Sequence, residues 1–336
     1  MKNLDLGKNE NSSKGITLVA LVISIIVLLI LATVTIQTLT GNNGLLTKAE
    51  TAVQRNKDSQ ELEQIQLAVL SAQMKNKNLS EEILNTELQK TFNNDKTVIE
   101  SPSYYIYKTD KSYRIYKDGK VEEGNLLPDE FQQVEYIAST GKQYINTGLL
   151  AKDHINIYLE ILGNFSSPAK NQYIFGCSDG SIDKKSTYHL LGTAYSSPEF
   201  IAQHGIGGSE TIIKSADTQE HTFCLDLLNN TCSLDSKIVN LEYSGTIYID
   251  QNYFLFSLNK GGTSQGPASF KMNSCKILEN NQLIRYYIPC YSVTNVINSN
   301  SNSVPANTKG LYDLVEGKFY TNQKTSGNDF TAGPDV

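Results

Sequence analysis

The sequence has no tryptophan and only four histidines in 336 residues. It also has no cluster of lysine or arginine, which argues against nucleic-acid binding because phosphate recognition needs grouped cationic side chains. The net charge is −6. Residues 1–127 carry 15 basic and 15 acidic side chains, so the acidic excess lies wholly in residues 128–336. An acidic second half predicts a soluble, extracytoplasmic module.

The cysteines are few, and all five lie in the second half of the chain. None of their spacings is C-x-x-C, so a zinc site has little support. An odd number of cysteines cannot be fully paired within one chain. In one interpretation Cys224 and Cys232 face each other across a hairpin with an Asn229–Asn230 turn. In the other, all five are buried free thiols that act as small apolar side chains.

Signals for catalysis and for cofactors are also weak. The paired-carboxylate string Glu-x-Asp-x-x-Glu of jelly-roll glycosidases is missing, and the histidines are scattered along the chain. Gly261–Gly266 lacks the lysine of a phosphate-binding loop. We therefore predict a protein that is not an enzyme and has no cofactor. The one alternative is calcium at Asp179 and Asp183, which otherwise belong to a solvated turn.

One long segment lacks charge altogether, from Ile16 to the residue before Lys48. Its apolar part, residues 16–36, spans about 31 Å as a helix, roughly one hydrocarbon thickness. The pattern predicts a transmembrane helix over residues 16–40. The preceding leader has three lysines and two acidic residues. The positive-inside rule then predicts a single-pass membrane protein with a cytoplasmic N-terminus and an extracellular remainder.

The stretch Lys14-Gly15-Ile16-Thr17-Leu18 resembles the signal of type IV prepilins. The resemblance implies that a prepilin peptidase cleaves between Gly15 and Ile16, that the helix is retained and that Ile16 becomes N-methylated. It also implies other pilin subunits as partners in a surface filament. The family's glutamate at the fifth mature position is Ala20 here, which favours display of the module over polymerisation. The alternative is a plain signal anchor.

Residues 41–125 follow the plan of a pilin, a long helix and a small sheet. Apolar residues recur at helical spacing from Leu45 to Ala72, and Asn76–Asn78 ends that pattern. Ser80 is a predicted N-cap for a short helix that ends near Phe92. Two alternating segments, Tyr104–Tyr107 and Tyr113–Tyr116, predict a β-hairpin or a three-stranded meander.

Residues 128–336 show many short alternating segments and no helix longer than a turn or two, which predicts an antiparallel β-sandwich. Period-two alternation places Ile155, Ile157, Leu159 and Ile161 on the core face. Asn295–Asn307 is rich in Asn and Ser and predicts a mobile loop. The predicted strands are Gln133–Ile137, Gln143–Thr147, His154–Leu162, Gln172–Gly176, Tyr188–Leu191, Glu199–Ala202, Thr211–Lys214, His221–Leu227, Cys232–Leu234, Thr246–Asp250, Tyr253–Leu258, Phe270–Leu278 and Leu283–Tyr291.

Three segments of this region resemble the concanavalin A-like, laminin G-like jelly-roll domains of bacterial surfaces. They are Gln133–Gly148, Ile288–Tyr291 and Gly310–Asn322. The resemblance implies a jelly roll that binds an extracellular glycan or protein through loops at one edge, in some members with calcium.

The sequence as a whole predicts an α+β fold. Its parts are a prepilin-type leader (1–15), a transmembrane helix (16–40), a pilin-like helix with a small β-hairpin sheet (41–125) and a laminin G-like sandwich (128–336). The predicted function is a pilin-like surface protein that displays a binding module, in adhesion or as a minor pilus subunit. The alternatives are a membrane-anchored glycan- or protein-binding module that does not polymerise and, third, an extracellular glycosidase.

Overall fold

A computed structural model describes residues 21–29, 45–93, 98–109, 111–124, 126–180, 187–206, 211–241, 248–324 and 329–336. The chain divides into two compact units, Met1–Leu67 and Ala68–Val336. More than twice as many described residues lie in strands as in helices. The protein is therefore mostly β, and the predicted α+β class is wrong.

The described helices are α1 (residues 21–29), α2 (Leu45–Lys75) and α3 (Glu81–Phe92). None of these helices is both long enough and apolar enough to cross a membrane. Of the predicted span, the described residues 21–29 are helical and apolar; a spanning helix needs about 20 residues. Helix α2 is long enough but carries charged side chains along its length.

This finding overturns two predictions, the transmembrane helix over 16–40 and the single-pass membrane localisation built on it. The cytoplasmic placement of the N-terminus and the extracellular placement of the remainder depended on that anchor, so both are withdrawn with it. Residues 16–20 and 30–40 of the predicted span lie outside the described residues. The boundaries predicted for the other segments stay predictions.

The predicted start of α3 is confirmed. Ser80 is the N-cap, and its side chain accepts a hydrogen bond from the backbone N–H of Ile83 at 3.5 Å, which satisfies one of the free donors of the first turn. The helix ends at Asn93 in the left-handed conformation, with φ 47°, which asparagine tolerates better than most residues.

The end of α2 is joined to α3 through Glu87, whose side chain is 9% exposed. Its carboxylate lies 2.5 Å from Lys75 Nζ and 3.1 Å from Lys90 Nζ, and it accepts a hydrogen bond from Ser71 Oγ. The hydrogen bonds from Lys75 and Ser71 lower the pKa of Glu87 to about 2. An ionised carboxylate therefore holds the two helices together.

A four-stranded antiparallel meander follows these helices, in the order β1-β2-β3-β4. The predicted hairpin is its central pair, in which Tyr104 pairs with Tyr116. The Tyr105 hydroxyl donates to the carbonyl of Leu79 at 2.8 Å and so fixes the meander to the start of α3. The strands are β1 (Ile99–Glu100), β2 (Tyr104–Lys108), β3 (Ser112–Tyr116) and β4 (Val121–Glu123).

The described residues that follow form two large sheets and a separate two-stranded hairpin. Their strands pair antiparallel, except that β17 runs parallel to β9. Sheet I has the order β15-β14-β13-β8-β19-β20-β23-β24, with β5 on β20 and with β6 between β19 and β25. Its strands are β5 (Phe131–Gln133), β6 (Ile137–Thr140), β8 (Ile157–Phe165), β13 (His221–Asp226), β14 (Thr231–Leu234), β15 (Lys237–Asn240), β19 (Ser269–Glu279), β20 (Gln282–Ser292), β23 (Lys309–Asp313), β24 (Lys318–Thr321) and β25 (Thr331–Ala332).

Sheet II has the order β12-β11-β10-β9-β16-β7, with the β17–β18 hairpin attached to β9. A separate short hairpin is formed by β21 (Val296–Ile297) and β22 (Ser303–Val304). The strands of sheet II are β7 (Ile145–Leu150), β9 (Tyr173–Ser178), β10 (Thr187–Thr193), β11 (Glu199–Ile206), β12 (Thr211–Ser215), β16 (Asn252–Leu255), β17 (Leu258–Lys260) and β18 (Thr263–Gln265).

One apolar core joins the facing sides of sheets I and II, and this confirms the predicted antiparallel, sandwich-like arrangement. Ile157, Leu159 and Ile161 of β8 are fully buried in it, as their alternation predicted. Ile155, expected on the same face, is 46% exposed. The chain turns just before β8, where His154 N–H donates to the carbonyls of Leu150 and Ala151, so the alternation begins later than predicted.

The meander packs on the outer face of sheet I. Tyr104 and Ile106 share a buried cluster with Phe131, Tyr312 and Phe319. The Tyr104 hydroxyl donates to the carbonyl of Leu126, at the start of the sandwich. The small sheet is thus integrated with the large one within a single compact unit.

All five cysteines are free and buried, and the interpretation with a Cys224–Cys232 disulfide is wrong. On the paired strands β13 and β14, Cys232 lies opposite Leu225, and Cys224 lies opposite Ser233. Neighbouring positions on a strand point to opposite faces. Cys232 therefore faces the core, whereas Cys224 faces outward and accepts a hydrogen bond from the Tyr158 hydroxyl.

Candidate polar binding site

A polar pocket of about 250 Å³ opens where the edge strand β7 of sheet II meets the edge strand β24 of sheet I. It draws on both sheets and on the loop between β21 and β22. Its walls are almost entirely polar, and they include three asparagines, both signs of charge and one tyrosine. The lining residues are Asn146, Thr147, Gly148, Asn252, Arg285, Ser299, Asn300, Glu316, Lys318 and Tyr320.

Arg285 is the central cation of this pocket, and its side chain is only 12% exposed. It projects from β20. Its Nη2 atom lies 2.6 Å from Glu316 Oε1, and its Nε atom lies 3.3 Å from Asp313 Oδ2. Its Nη1 atom donates to the carbonyl of Ile284 at 2.7 Å. The guanidinium is therefore held in place on three sides.

Glu316 lies in the turn between β23 and β24 and collects three donors. Besides Arg285, its carboxylate accepts from the Tyr320 hydroxyl at 2.8 Å and pairs with Lys318 Nζ at 3.1 Å. Burial opposes its ionised form, but the Tyr320 hydrogen bond and the Arg285 charge outweigh burial and lower the pKa of Glu316 below its usual range. Glu316 is thus an ionised group whose oxygens are already occupied.

Asp313 ends β23 behind this pair and is fully buried. Its Oδ1 atom accepts the backbone N–H groups of Tyr286 and Val315 at 3.0 and 3.1 Å. Burial raises the pKa of Asp313 to about 6, although the Tyr286 hydrogen bond and the Arg285 charge lower it in part. Asp313 is thus a buried carboxylate that holds the Arg285 guanidinium in position.

Asn298 organises the loop that closes one side of the pocket. Its Oδ1 atom accepts the N–H groups of Asn300 and Asn302, and its Nδ2 atom donates to Thr321 Oγ1 at 3.0 Å. The stretch Asn295–Asn307, predicted as a mobile loop, therefore contains the β21–β22 hairpin and an asparagine-centred turn. The turn carries Ser299 and Asn300 to the pocket wall.

Two buried polar atoms, Ser299 Oγ in the pocket lining and Tyr287 Oη behind it, find no hydrogen-bond partner among the described residues. Arg285 Nε and Asp313 Oδ2 also lack a hydrogen bond of good geometry, but they pair with each other as charges at 3.3 Å. Buried polar groups are normally satisfied, and those that are not satisfied call for an explanation such as water or a ligand. The two unsatisfied atoms distinguish the pocket from an ordinary surface depression.

A second, larger cleft of about 800 Å³ lies between α3, β1 and the β19–β20 turn. It mixes apolar side chains with Glu81, Glu100 and Lys276. Burial and the charge of Glu100 raise the pKa of Glu81. Among the described residues, none of the buried polar atoms without a hydrogen-bond partner belongs to its lining residues, so the smaller polar pocket is the better candidate site.

The residues singled out from the sequence do not contribute to this pocket. The cleavage site Gly15–Ile16 and Ala20 lie outside the described residues, and so does Asp183. Asp179 follows β9 and is not among the lining residues. Within the described ranges no three His, Cys, Asp or Glu side chains are grouped as metal ligands would be. The predicted calcium alternative stays a prediction.

Two of the histidines, scattered in sequence, are brought together inside the sandwich. His189 and His204 are opposite each other on β10 and β11, and both are buried. His189 Nδ1 lies 2.7 Å from the Tyr253 hydroxyl, which donates to the carbonyl of His154. Burial lowers the pKa of His189 to about 3 and that of His204 to about 4. Both rings are neutral at pH 7.

The sequence did not predict the pocket residues, although two of the segments that resemble laminin G-like domains contain some of them. Gly310–Asn322, noted for its resemblance, supplies Glu316, Lys318 and Tyr320 to the lining and Asp313 behind it. The available signal was an aspartate inside the apolar string Leu311–Leu314, a position where an unpaired charge is costly. Nothing in the spacing indicated its partner, Arg285, from another hairpin.

No protein-family model matches the chain, and no curated protein is similar to it in sequence.

Proposed function

We propose that the protein is a non-enzymatic binding protein whose sandwich takes up a small polar ligand, such as a sugar residue, in the polar pocket. The observation that carries this proposal is the convergence of asparagine, arginine and lysine side chains and the unsatisfied buried Ser299 hydroxyl at one opening. Ligand pockets typically begin at about 300 Å³. A pocket of about 250 Å³ suits one sugar ring or a molecule of similar size.

The acidic residues of the pocket support binding over hydrolysis. Glycoside hydrolysis needs one free acid and one free carboxylate on either side of the scissile bond. Glu316 is occupied by three donors, and Asp313 is fully buried behind Arg285. Neither group is placed to reach both sides of a bound sugar, so the glycosidase alternative is the weaker one.

The resemblance of residues 128–336 to laminin G-like domains, which bind glycans or proteins, points the same way. An adhesive role, in which the sandwich attaches the protein to a glycan-bearing surface, is the biological function we propose. The proposal depends on the pocket and is independent of how the N-terminus is processed.

The test is binding of the full chain to a panel of immobilised mono- and oligosaccharides. We expect at least one saccharide to be retained by the wild-type chain. Asn252→Ala should weaken that retention about tenfold or more, because Asn252 lines the pocket and its side chain makes no bond to another described residue. Asn240→Ala, an exposed position at the end of β15, is the matched control. Equal retention by both variants would rule the pocket out.

A further inference from the structure

We propose that the ligand is an uncharged saccharide and that Glu316 is the residue that excludes acidic sugars. This inference rests on the proposed function and names the substrate class of the same pocket. It follows from two properties of the pocket wall, its supply of free hydrogen-bond donors and its charge balance.

The free groups of the wall are mainly donors. Arg285 has five N–H bonds, of which the Nη1 and Nη2 atoms spend one each on Ile284 and Glu316. The remaining Nη hydrogens are available to a ligand. The Ser299 hydroxyl and the Asn252 amide make no hydrogen bond to another described residue. Asn146 uses its Oδ1 atom for the N–H of Gly148, which leaves its Nδ2 donor free.

The charged acceptor of the wall is already in use. Glu316 has one oxygen on Arg285 and the other on Tyr320 and Lys318. Each hydroxyl of a sugar offers two acceptor lone pairs for one donor hydrogen, and the ring oxygen is an acceptor as well. A sugar therefore matches a wall that supplies donors.

The charges decide between neutral and acidic sugars. Arg285 and Lys318 are cations, and both pair with Glu316; Asp313 lies 3.3 Å behind Arg285. Two cations and two carboxylates leave no net charge to attract an anion. A ligand carboxylate would compete with Glu316 for the same N–H groups of Arg285 and would lie close to its charge. The wall therefore offers hydrogen bonds to hydroxyl groups and repels a uronic acid.

The test compares methyl glucoside with glucuronic acid on the full chain by calorimetric titration, for the wild type and for Glu316→Gln. In the wild type, methyl glucoside should bind at least about fivefold more tightly than glucuronic acid. In Glu316→Gln the preference should reverse, because Gln keeps the acceptor for Tyr320 while Arg285 and Lys318 lose their compensating charge. Asp217→Asn, which removes a carboxylate that does not line the pocket, should keep the wild-type preference.

The outcomes separate the two levels of the proposal. Tighter binding of glucuronic acid than of methyl glucoside by the wild type would overturn the neutral-sugar inference and leave the proposed function standing. The inference also fails if Glu316→Gln folds, as judged by an unchanged circular dichroism spectrum, and keeps the wild-type order. Failure of both sugars and of the wider saccharide panel to bind would overturn the proposed function itself.

Discussion

His189 and His204 lie directly opposite each other on the neighbouring strands β10 and β11, with their ring centroids 4.9 Å apart. Both side chains face the interior of the sandwich, where a charged imidazole would be poorly solvated. His189 Nε2 is buried and has no hydrogen-bond partner among the described residues. The pair is therefore stable only while both rings are neutral.

The first prediction concerns the stability of the protein in mild acid. In the unfolded chain both histidines have a pKa near 6.5. In the folded protein the pKa of His189 is about 3 and that of His204 is about 4. Stability from this pair is therefore complete above pH 6.5 and is lost as the pH falls toward 4, by more than about 3 kcal/mol.

His189→Gln should reduce that pH dependence, because glutamine can still reach the Tyr253 hydroxyl but does not titrate. Urea unfolding of the wild type and the variant at pH 7, 6, 5 and 4 measures it. Parallel curves of unfolding free energy against pH would contradict the prediction.

The second prediction concerns the cysteines. All five are free and buried, and Cys224 and Cys232 point to opposite faces of sheet I. We expect five thiols per chain to react with a thiol reagent after unfolding without reductant, and far slower reaction in the native protein. Cys232→Ser should lower the number to four. A number of three in the wild type would mean that a disulfide exists, and reductant would then lower the melting temperature.

Local features of this fold could be predicted from the sequence. The cap at Ser80 depends on residues within one turn of each other, and the alternation of Ile157, Leu159 and Ile161 depends on one strand. All the residues that determine such a feature lie within a short stretch of the sequence. These local signals located the short helix and most of the sandwich strands, but they carry no information on which strands become neighbours.

The candidate site could not be predicted for that reason. Asn146, Asn252, Arg285 and Glu316 meet only because β7, β16, β20 and the β23–β24 turn come together when the two sheets pack. The register of β20 against β23 places Tyr287 opposite Asp313 and so brings Arg285 near both carboxylates. The structure of the Asn-rich stretch Asn295–Asn307 was not predicted for a related reason. Its turn is held by a hydrogen bond from Asn298 to Thr321, which lies on another strand.

The N-terminal prediction failed in a different way. Length and hydropathy of residues 16–36 suffice to predict a spanning helix, but among the described residues no helix is both long enough and apolar enough to cross a membrane. Of that run the structure describes residues 21–29, which are helical. The residues that flank 21–29 lie outside the described chain, so the cleavage motif has to be tested chemically.

The third prediction is that the mature protein begins at Ile16. The motif Lys14-Gly15-Ile16-Thr17-Leu18 should direct cleavage after Gly15 in cells with an active prepilin peptidase. Intact mass and N-terminal sequencing of the purified protein measure the cleavage site, and an added 14 mass units on Ile16 would report methylation. Gly15→Leu should block processing, whereas Gly7→Leu in the same leader should not. A mature chain that still starts at Met1 would contradict the prediction.

The fourth prediction concerns Asp313, whose pKa is raised from 3.8 to about 6 by burial. In the folded state this carboxyl binds its proton more tightly than in the unfolded chain. Its contribution to stability is therefore complete below pH 3.8 and is lost as the pH rises through 6, by about 3 kcal/mol. This direction is opposite to that of His189 and His204, so the two effects partly cancel in the wild type between pH 4 and 6.

Asp313→Asn should reveal the full pH dependence of the unfolding free energy that His189 and His204 cause. Asparagine keeps an oxygen for the N–H groups of Tyr286 and Val315 but does not ionise, so the variant's unfolding free energy should rise more steeply from pH 4 to 6 than the wild type's. Asp129→Asn, at a carboxylate that is 95% exposed, is the matched control and should keep the wild-type slope. If Asp313→Asn also keeps the wild-type slope, Asp313 is already ionised at pH 4 and the Arg285 charge outweighs burial at this site.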